Sequence, residues 1–195
     1  MPRKNNRNTQ GRIIAAAWKL FYENGYDETT IEDNVFESQT SRGSFYHYFS
    51  GKDALIGTLA YVFDDKYEQL EKEIDPDASA VDALIWLNHE LFAMIESQIS
   101  MELLTRPLST QLTAQGEKQL LENGRYYFKL LRRIVRKGQQ AGQLRSDMTE
   151  REIVRAYALW ERALMYDWCL SGGDYSLVSW TEKMTPAFIQ GLAGK

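Results

Sequence analysis

Nine consecutive residues, Ser41-Arg42-Gly43-Ser44-Phe45-Tyr46-His47-Tyr48-Phe49, gather hydrogen-bonding chemistry into one short stretch. Phe45 and Phe49 lie four apart, so on a helix they share a face and can anchor inward. Arg42, Ser44, Tyr46 and His47 then fall on other faces. A guanidinium, hydroxyls and an imidazole there can donate to phosphate oxygens and to base edges. Gly43 leaves no side chain where a nucleic-acid backbone would come close. Lys52 adds a cation at the start of the next helix, beside free backbone N–H groups, a combination that suits a phosphate. Thr29 and Thr30 offer hydroxyl and N–H together at the start of the preceding helix. The alternative is an aromatic core cluster. It accounts for Phe45 and Phe49 and leaves Arg42, Ser44, His47 and Lys52 unexplained.

Helices must hold these groups in place. Ile13, Ile14, Ala17, Leu20 and Phe21 recur at three- and four-residue spacing and predict a helix over 9–24, stopped by Gly25. Thr29 with Glu32 makes a capping-box pattern for a short helix over 29–37, and Ser41 caps another over 41–47. Two short helices joined by a few residues outline a helix-turn-helix. A helix of about seven residues is unstable alone, so its neighbours must hold it. Ser50 with Asp53 predicts a capped long helix to about residue 73, broken at Asp75-Pro76-Asp77. Further helices are expected over 79–98, 101–113, 115–140, 149–171 and 175–192, with Pro107 bending or ending its segment. No strand alternation is visible, and the reading is all-α with about nine helices.

Composition narrows the function classes. The chain is 44% hydrophobic and 26% charged with only 4 Pro, which suits a packed globular protein. No apolar run approaches the ~20 residues of a membrane span, and the polar N-terminus shows no signal-peptide pattern. Cytoplasmic placement without a membrane partner is expected. One cysteine, Cys169, and two histidines leave little for a disulfide framework or a zinc site. No phosphate loop, nucleophile motif or metal spacing points to an enzyme or a cofactor. The net charge is −4, yet residues 1–20 hold Arg3, Lys4, Arg7, Arg12 and Lys19 and no acid. A cationic arm on an acidic body still binds a polyanion, because local potential decides.

Gly25-Tyr26, Thr29-Thr30, the Ser41–Phe49 run, Lys52 and Leu55 together resemble the TetR/AcrR family of bacterial transcriptional regulators. The resemblance covers roughly residues 9–56. It implies a three-helix DNA-binding head (residues 1–52) and a helical body (53–195) that binds ligand and dimerises. By position, Arg42 and Ser44 resemble the base-reading residues, Tyr46, His47 and Lys52 backbone or groove contacts, and Thr30 a phosphate contact. Tyr48 stands where the family often has a phosphate-touching histidine. The sequence departs from the family pattern at Asn34-Val35, in place of Ile-Ala, and at Ser38-Gln39-Thr40, in place of Ala-Gly-Val. Asn34 therefore needs a buried partner. Gln39 would take a left-handed backbone if the turn is kept.

In the body, Trp160, Leu164 and Trp168 form one stripe, and Leu177, Trp180, Met184 and Phe188 another. These are candidates for a four-helix dimer interface, with ordinary core as the alternative. Trp86, Phe92, Met101, Tyr126, Tyr127 and Tyr157 could line an adaptable apolar pocket, with ordinary core as the alternative. Glu90, Glu96 and Asp167 could meet a cationic ligand or serve as structural acids. Arg132, Arg133, Arg136 and Lys137 read as a solvated face. The expected partners are a palindromic double-stranded operator, a small-molecule effector and a second copy of the chain, with the effector releasing the DNA. The competing class is an all-α small-molecule-binding protein or enzyme without DNA function.

Overall fold

The computed structural model describes residues 3–113 and 118–194, with side chains over 9–112 and 118–194. The side chains of Arg3, Lys4 and Arg7 lie outside the described residues. Ten α-helices and one short 3-10 helix, Gln119–Leu121, are present among the described residues, with a single isolated bridge between Leu144 and Ala193. The chain divides into two compact units, Met1–Val62 with Glu102–Thr113, and Phe63–Met101 with Ala114–Lys195. The first unit thus runs past residue 52 and takes in a segment that the sequence assigns to the body.

In the first unit, α1 (Arg3–Asn24) packs on α2 (Ile31–Glu37) and α3 (Arg42–Tyr48). Its core is Ile13, Ala17 and Phe21 from α1 with Phe45, Phe49, Leu55 and Leu59. Gly25, at φ +84°, ends α1 in the left-handed conformation that glycine adopts without strain, and its N–H donates to Phe21 O at 3.0 Å. The capping box of α2 is set one residue later than expected, with Thr30 and Asp33 as the reciprocal pair.

The expected long helix from residue 50 is two helices, α4 (Lys52–Ile56) and α5 (Leu59–Leu70). Gly51 is its N-cap, without a side-chain cap bond, so the Ser50–Asp53 box does not form. Thr58 explains the break. Its hydroxyl donates to Leu55 O at 2.6 Å and accepts the Trp18 indole N–H at 2.9 Å, which competes with the backbone ladder. Helix α7 (Met101–Thr113) runs through Pro107 rather than ending there.

In the second unit, α6 (Ala80–Gln98) packs against α10 (Leu177–Gln190) and α8 (Tyr126–Gln140), and α8 against α9 (Glu150–Leu170). The expected helix over 115–140 begins only at Tyr126, where Asp64 Oδ2 accepts the Tyr126 N–H at 3.3 Å and caps the helix from another element. Gly138 is required by packing, since a Cβ there would lie 2.4 Å from the Ala80 Cβ and 2.9 Å from Leu144. No helix among the described residues is long and apolar enough to cross a membrane.

Candidate nucleic-acid interface

The α2–turn–α3 segment is held from behind. Asn34 is buried, and its Nδ2 donates to Ile13 O at 2.9 Å, while its Oδ1 has no partner. Gln39 adopts φ +50°, the left-handed backbone expected of the turn. Arg12, from α1, donates to the carbonyls of both Ser38 and Gln39 and so ties the turn to the first helix. No sequence pattern marks Arg12 for that role. Each acid of α2 is occupied: Asp33 in its cap, Glu32 by Arg42 at 2.9 Å and Glu37 by Lys19 at 2.6 Å. The hydrogen bonds from Thr30 also hold the Asp33 carboxyl below its ordinary value.

Helix α3 divides as its spacing predicts. Phe45 and Phe49 are buried, with ring centroids 5.9 Å apart. Ser41, Arg42, Gly43, Tyr46 and His47 are exposed, and Ser44 and Tyr48 half-buried. Ser41 caps the helix by accepting the Ser44 N–H at 3.0 Å. Arg42 lies 5.8 Å from the Tyr46 ring centroid, and its exposed ion pair with Glu32 is cheap to exchange for a better anion. His47 packs edge-on against Tyr48 at 4.8 Å. This face presents a guanidinium, hydroxyls and an imidazole beside a glycine, the donor set that phosphates and base edges accept.

Two expected contacts need correction. Thr29 is buried and donates to Gly25 O at 2.8 Å, so its hydroxyl is spent inside the unit; Thr30 is the exposed one. Lys52 turns partly inward. Its ammonium donates to Tyr26 O at 2.8 Å and Asp27 O at 3.1 Å and sits 4.3 Å above the Tyr26 ring. One N–H remains for a phosphate. Tyr26 in turn donates to Asp53, and burial with that bond pushes its phenol up to about 12.

The second unit encloses a small cavity of about 20 Å³, space for one or two waters. Tyr67, Tyr127, Arg125, Glu161 and Arg162 supply its polar lining. Glu161 is buried without an ion-pair partner among the described residues. It accepts from Tyr67 Oη at 2.8 Å, Tyr127 Oη at 2.6 Å and Asn88 Nδ2 at 3.4 Å. Burial pushes its carboxyl up against the pull of these donors, and the phenols of Tyr67, Tyr127 and Tyr157 lie well above their ordinary value. Of the expected pocket residues, Tyr127 lines this cavity. Tyr157 is buried, with its hydroxyl donating to Leu84 O at 2.8 Å. Phe92 is core, Met101 packs at Gly173, Trp86 faces a separate surface groove, and Tyr126 donates to Glu71. Glu96 caps α10 through Val178 N at 2.7 Å, and Asp167 accepts from Tyr175 Oη at 2.9 Å, so both are structural acids. Glu161 had a signal in the sequence: it shares one helical stripe with Tyr157, Leu164 and Trp168.

The expected interface residues also separate. Leu164, Trp168 and Leu177 are buried within the unit. Trp180 and Met184 are exposed, and Trp160 and Phe188 are half-buried, their rings stacked at 4.8 Å. Helix α9 adds Leu159, 60% exposed, and Leu170, 86% exposed, with Ala163 between them on the same face.

The profile of the bacterial regulatory proteins of the tetR family matches residues 13–59. The fatty acid metabolism regulator protein of Bacillus subtilis is 21% identical over 193 residues, covering 98% of this chain and 100% of that protein. Among solved structures, the transcriptional regulator FadR from Bacillus subtilis, in complex with stearoyl-CoA, superposes with TM-score 0.66 at 19% identity, covering 93% of this chain and 98% of that one. A TetR-family regulator from Pectobacterium atrosepticum gives TM-score 0.72 at 16% identity, covering 100% and 99%. The matched segment contains α2, the turn and α3, the elements that present the exposed donor face. Residues 13–59 thus match the DNA-binding segment of the tetR family of bacterial regulatory proteins, and the chain as a whole shares the fold of a TetR-family regulator.

Proposed function

We propose that the protein is a cytoplasmic repressor that binds a palindromic operator as a homodimer and releases it when a small molecule enters the second unit. The head is built around residues 1–52, with Leu55 and Leu59 completing its core, and the effector site and the dimer contact fall within residues 53–195. The observation that carries the reading is the division of α3, with aromatic anchors inward and Arg42, Tyr46 and His47 outward beside Gly43. Arg42 and Ser44 read bases; Tyr46, His47, Tyr48, Thr30 and Lys52 hold the backbone. The exposed apolar residues Leu159, Leu170, Trp180 and Met184 pair with their copies across a two-fold axis. Two α3 helices then enter successive major grooves about 34–36 Å apart.

The body supplies the switch without turning its effector over. A ligand that prefers the body conformation with the wrong head spacing releases DNA by linkage alone. The solved FadR complex makes a long-chain acyl thioester the first effector to try. The test is selection of bound sequences from a random duplex pool. A two-fold symmetric motif supports the reading, and recovery of unselected sequence refutes it.

A further inference from the structure

Helix α9 carries Arg151, Arg155 and Arg162 at i, i+4 and i+11, which places them on one face. With Arg132 of α8 they line an open groove of about 770 Å³ in the second unit. No acid lines this groove among the described residues, and Arg151, Arg155 and Arg162 form no ion pair there. Arg132 donates to Asn123 O at 3.0 Å and forms no ion pair among the described residues. Elsewhere in the unit arginines are matched: Arg125 with Asp64, Arg133 with Glu71, Arg136 with Glu150 and Arg145 with Asp147. The four guanidiniums thus line one concavity without an acid among its lining residues. The floor between them is apolar, from Phe128, Val154 and Ala158.

We propose that this groove binds a phosphate-bearing organic anion, its phosphates among the arginines and its apolar part on the Phe128–Val154 floor. Planar guanidiniums match phosphate oxygens two at a time, which suits clustered phosphates better than a single carboxylate. Ala158 and Arg162 also line the cavity at Glu161, so the groove and that cavity share a wall. A ligand held by its phosphates would lay its remaining length against that wall. The site deepens the effector reading and rests on it for its regulatory meaning, but not for its binding chemistry.

Calorimetry on the full-length protein tests it, with coenzyme A, inorganic pyrophosphate and stearate as probes. Coenzyme A is expected to bind, more tightly than pyrophosphate and more weakly as salt rises. The double variant Arg151→Ala/Arg155→Ala removes two exposed side chains and should weaken coenzyme A about 100-fold, roughly tenfold for each charge-assisted contact. Stearate binding should not change, and neither should operator affinity without ligand. Unchanged coenzyme A affinity in the variant, or none in the native protein, overturns the site. Equal affinity for pyrophosphate and coenzyme A overturns the organic part of the assignment. Coenzyme A binding in a protein that no acyl thioester releases from DNA would uphold the groove and refute the effector. Release of the double variant by an acyl thioester at native concentrations would do the reverse.

Discussion

Glu161 offers a sharp test of the body's design. Its carboxylate is buried, unpaired by any cation among the described residues, and held by two phenols at 2.8 and 2.6 Å. Replacing it by Leu strands both hydroxyls. Each buried donor left unsatisfied costs about 1–3 kcal/mol, so Glu161→Leu should destabilise the fold by roughly 2–6 kcal/mol. Glu161→Gln keeps an acceptor for one phenol and offers a donor to the other, and should stay within about 1 kcal/mol of native at neutral pH. The pH dependence has a definite sign. Burial raises the folded carboxyl above its ordinary 4.5, so through that window the folded state holds a proton that the unfolded chain has lost. Stability contributed by this group therefore falls as pH rises from the unfolded value to the raised folded one, and is level above it. Urea unfolding followed by far-ultraviolet dichroism across that window should show the fall in the native protein and its loss in Glu161→Gln. A Glu161→Leu variant as stable as native, or a Glu161→Gln variant with the native pH slope, would show that the two phenols do not depend on this carboxyl.

Three further outcomes are expected. A Cβ on Gly43 would meet nothing nearer than Ser41 Oγ at 3.8 Å, so Gly43→Ala should lower DNA affinity with no loss of thermal stability; a variant that melts early would mean the glycine serves the fold. Lys52→Ala should weaken binding to every sequence alike and also cost about 1–2 kcal/mol of stability, because the ammonium bridges two carbonyls and the Tyr26 ring; an unchanged unfolding midpoint would remove the structural half of that role. Leu159→Glu with Leu170→Glu should leave helical content intact and shift sedimentation from dimer to monomer, and a dimer that survives both charges would place the interface elsewhere.

The inward and outward faces of α3 were legible because period and chemistry agree: Phe45 and Phe49 fall four apart, and the polar residues between them have no place in a core. Thr29 and Thr30 were not separable, since either hydroxyl could cap, and only the packed turn shows that Thr29 answers Gly25 O. Lys52 reads as a free cation until the Tyr26–Asp27 carbonyls, far away in sequence, come beside it. At the break between α4 and α5, Thr58 bonds Leu55 O and accepts the Trp18 indole N–H, a contact from forty residues away that the local sequence does not announce. The stripe Trp160–Leu164–Trp168 illustrates the limit of periodicity. It marks apolar faces, while burial of Leu164 and Trp168 and exposure of Leu159 and Leu170 follow from which neighbouring helix covers which side. Arg12 and the arginines of α9 left no motif, because their meaning lies in what surrounds them.

In the proposed function, α3 reads DNA through Arg42 while its neighbours hold phosphates. The most direct measurement is equilibrium binding of native protein and Arg42→Ala to a selected duplex and a scrambled one across a salt series. Native affinity for both should fall steeply with salt, and Arg42→Ala should erase most of the difference between the two duplexes at nearly the native salt slope. Salt-independent binding, or full discrimination retained without Arg42, would contradict it.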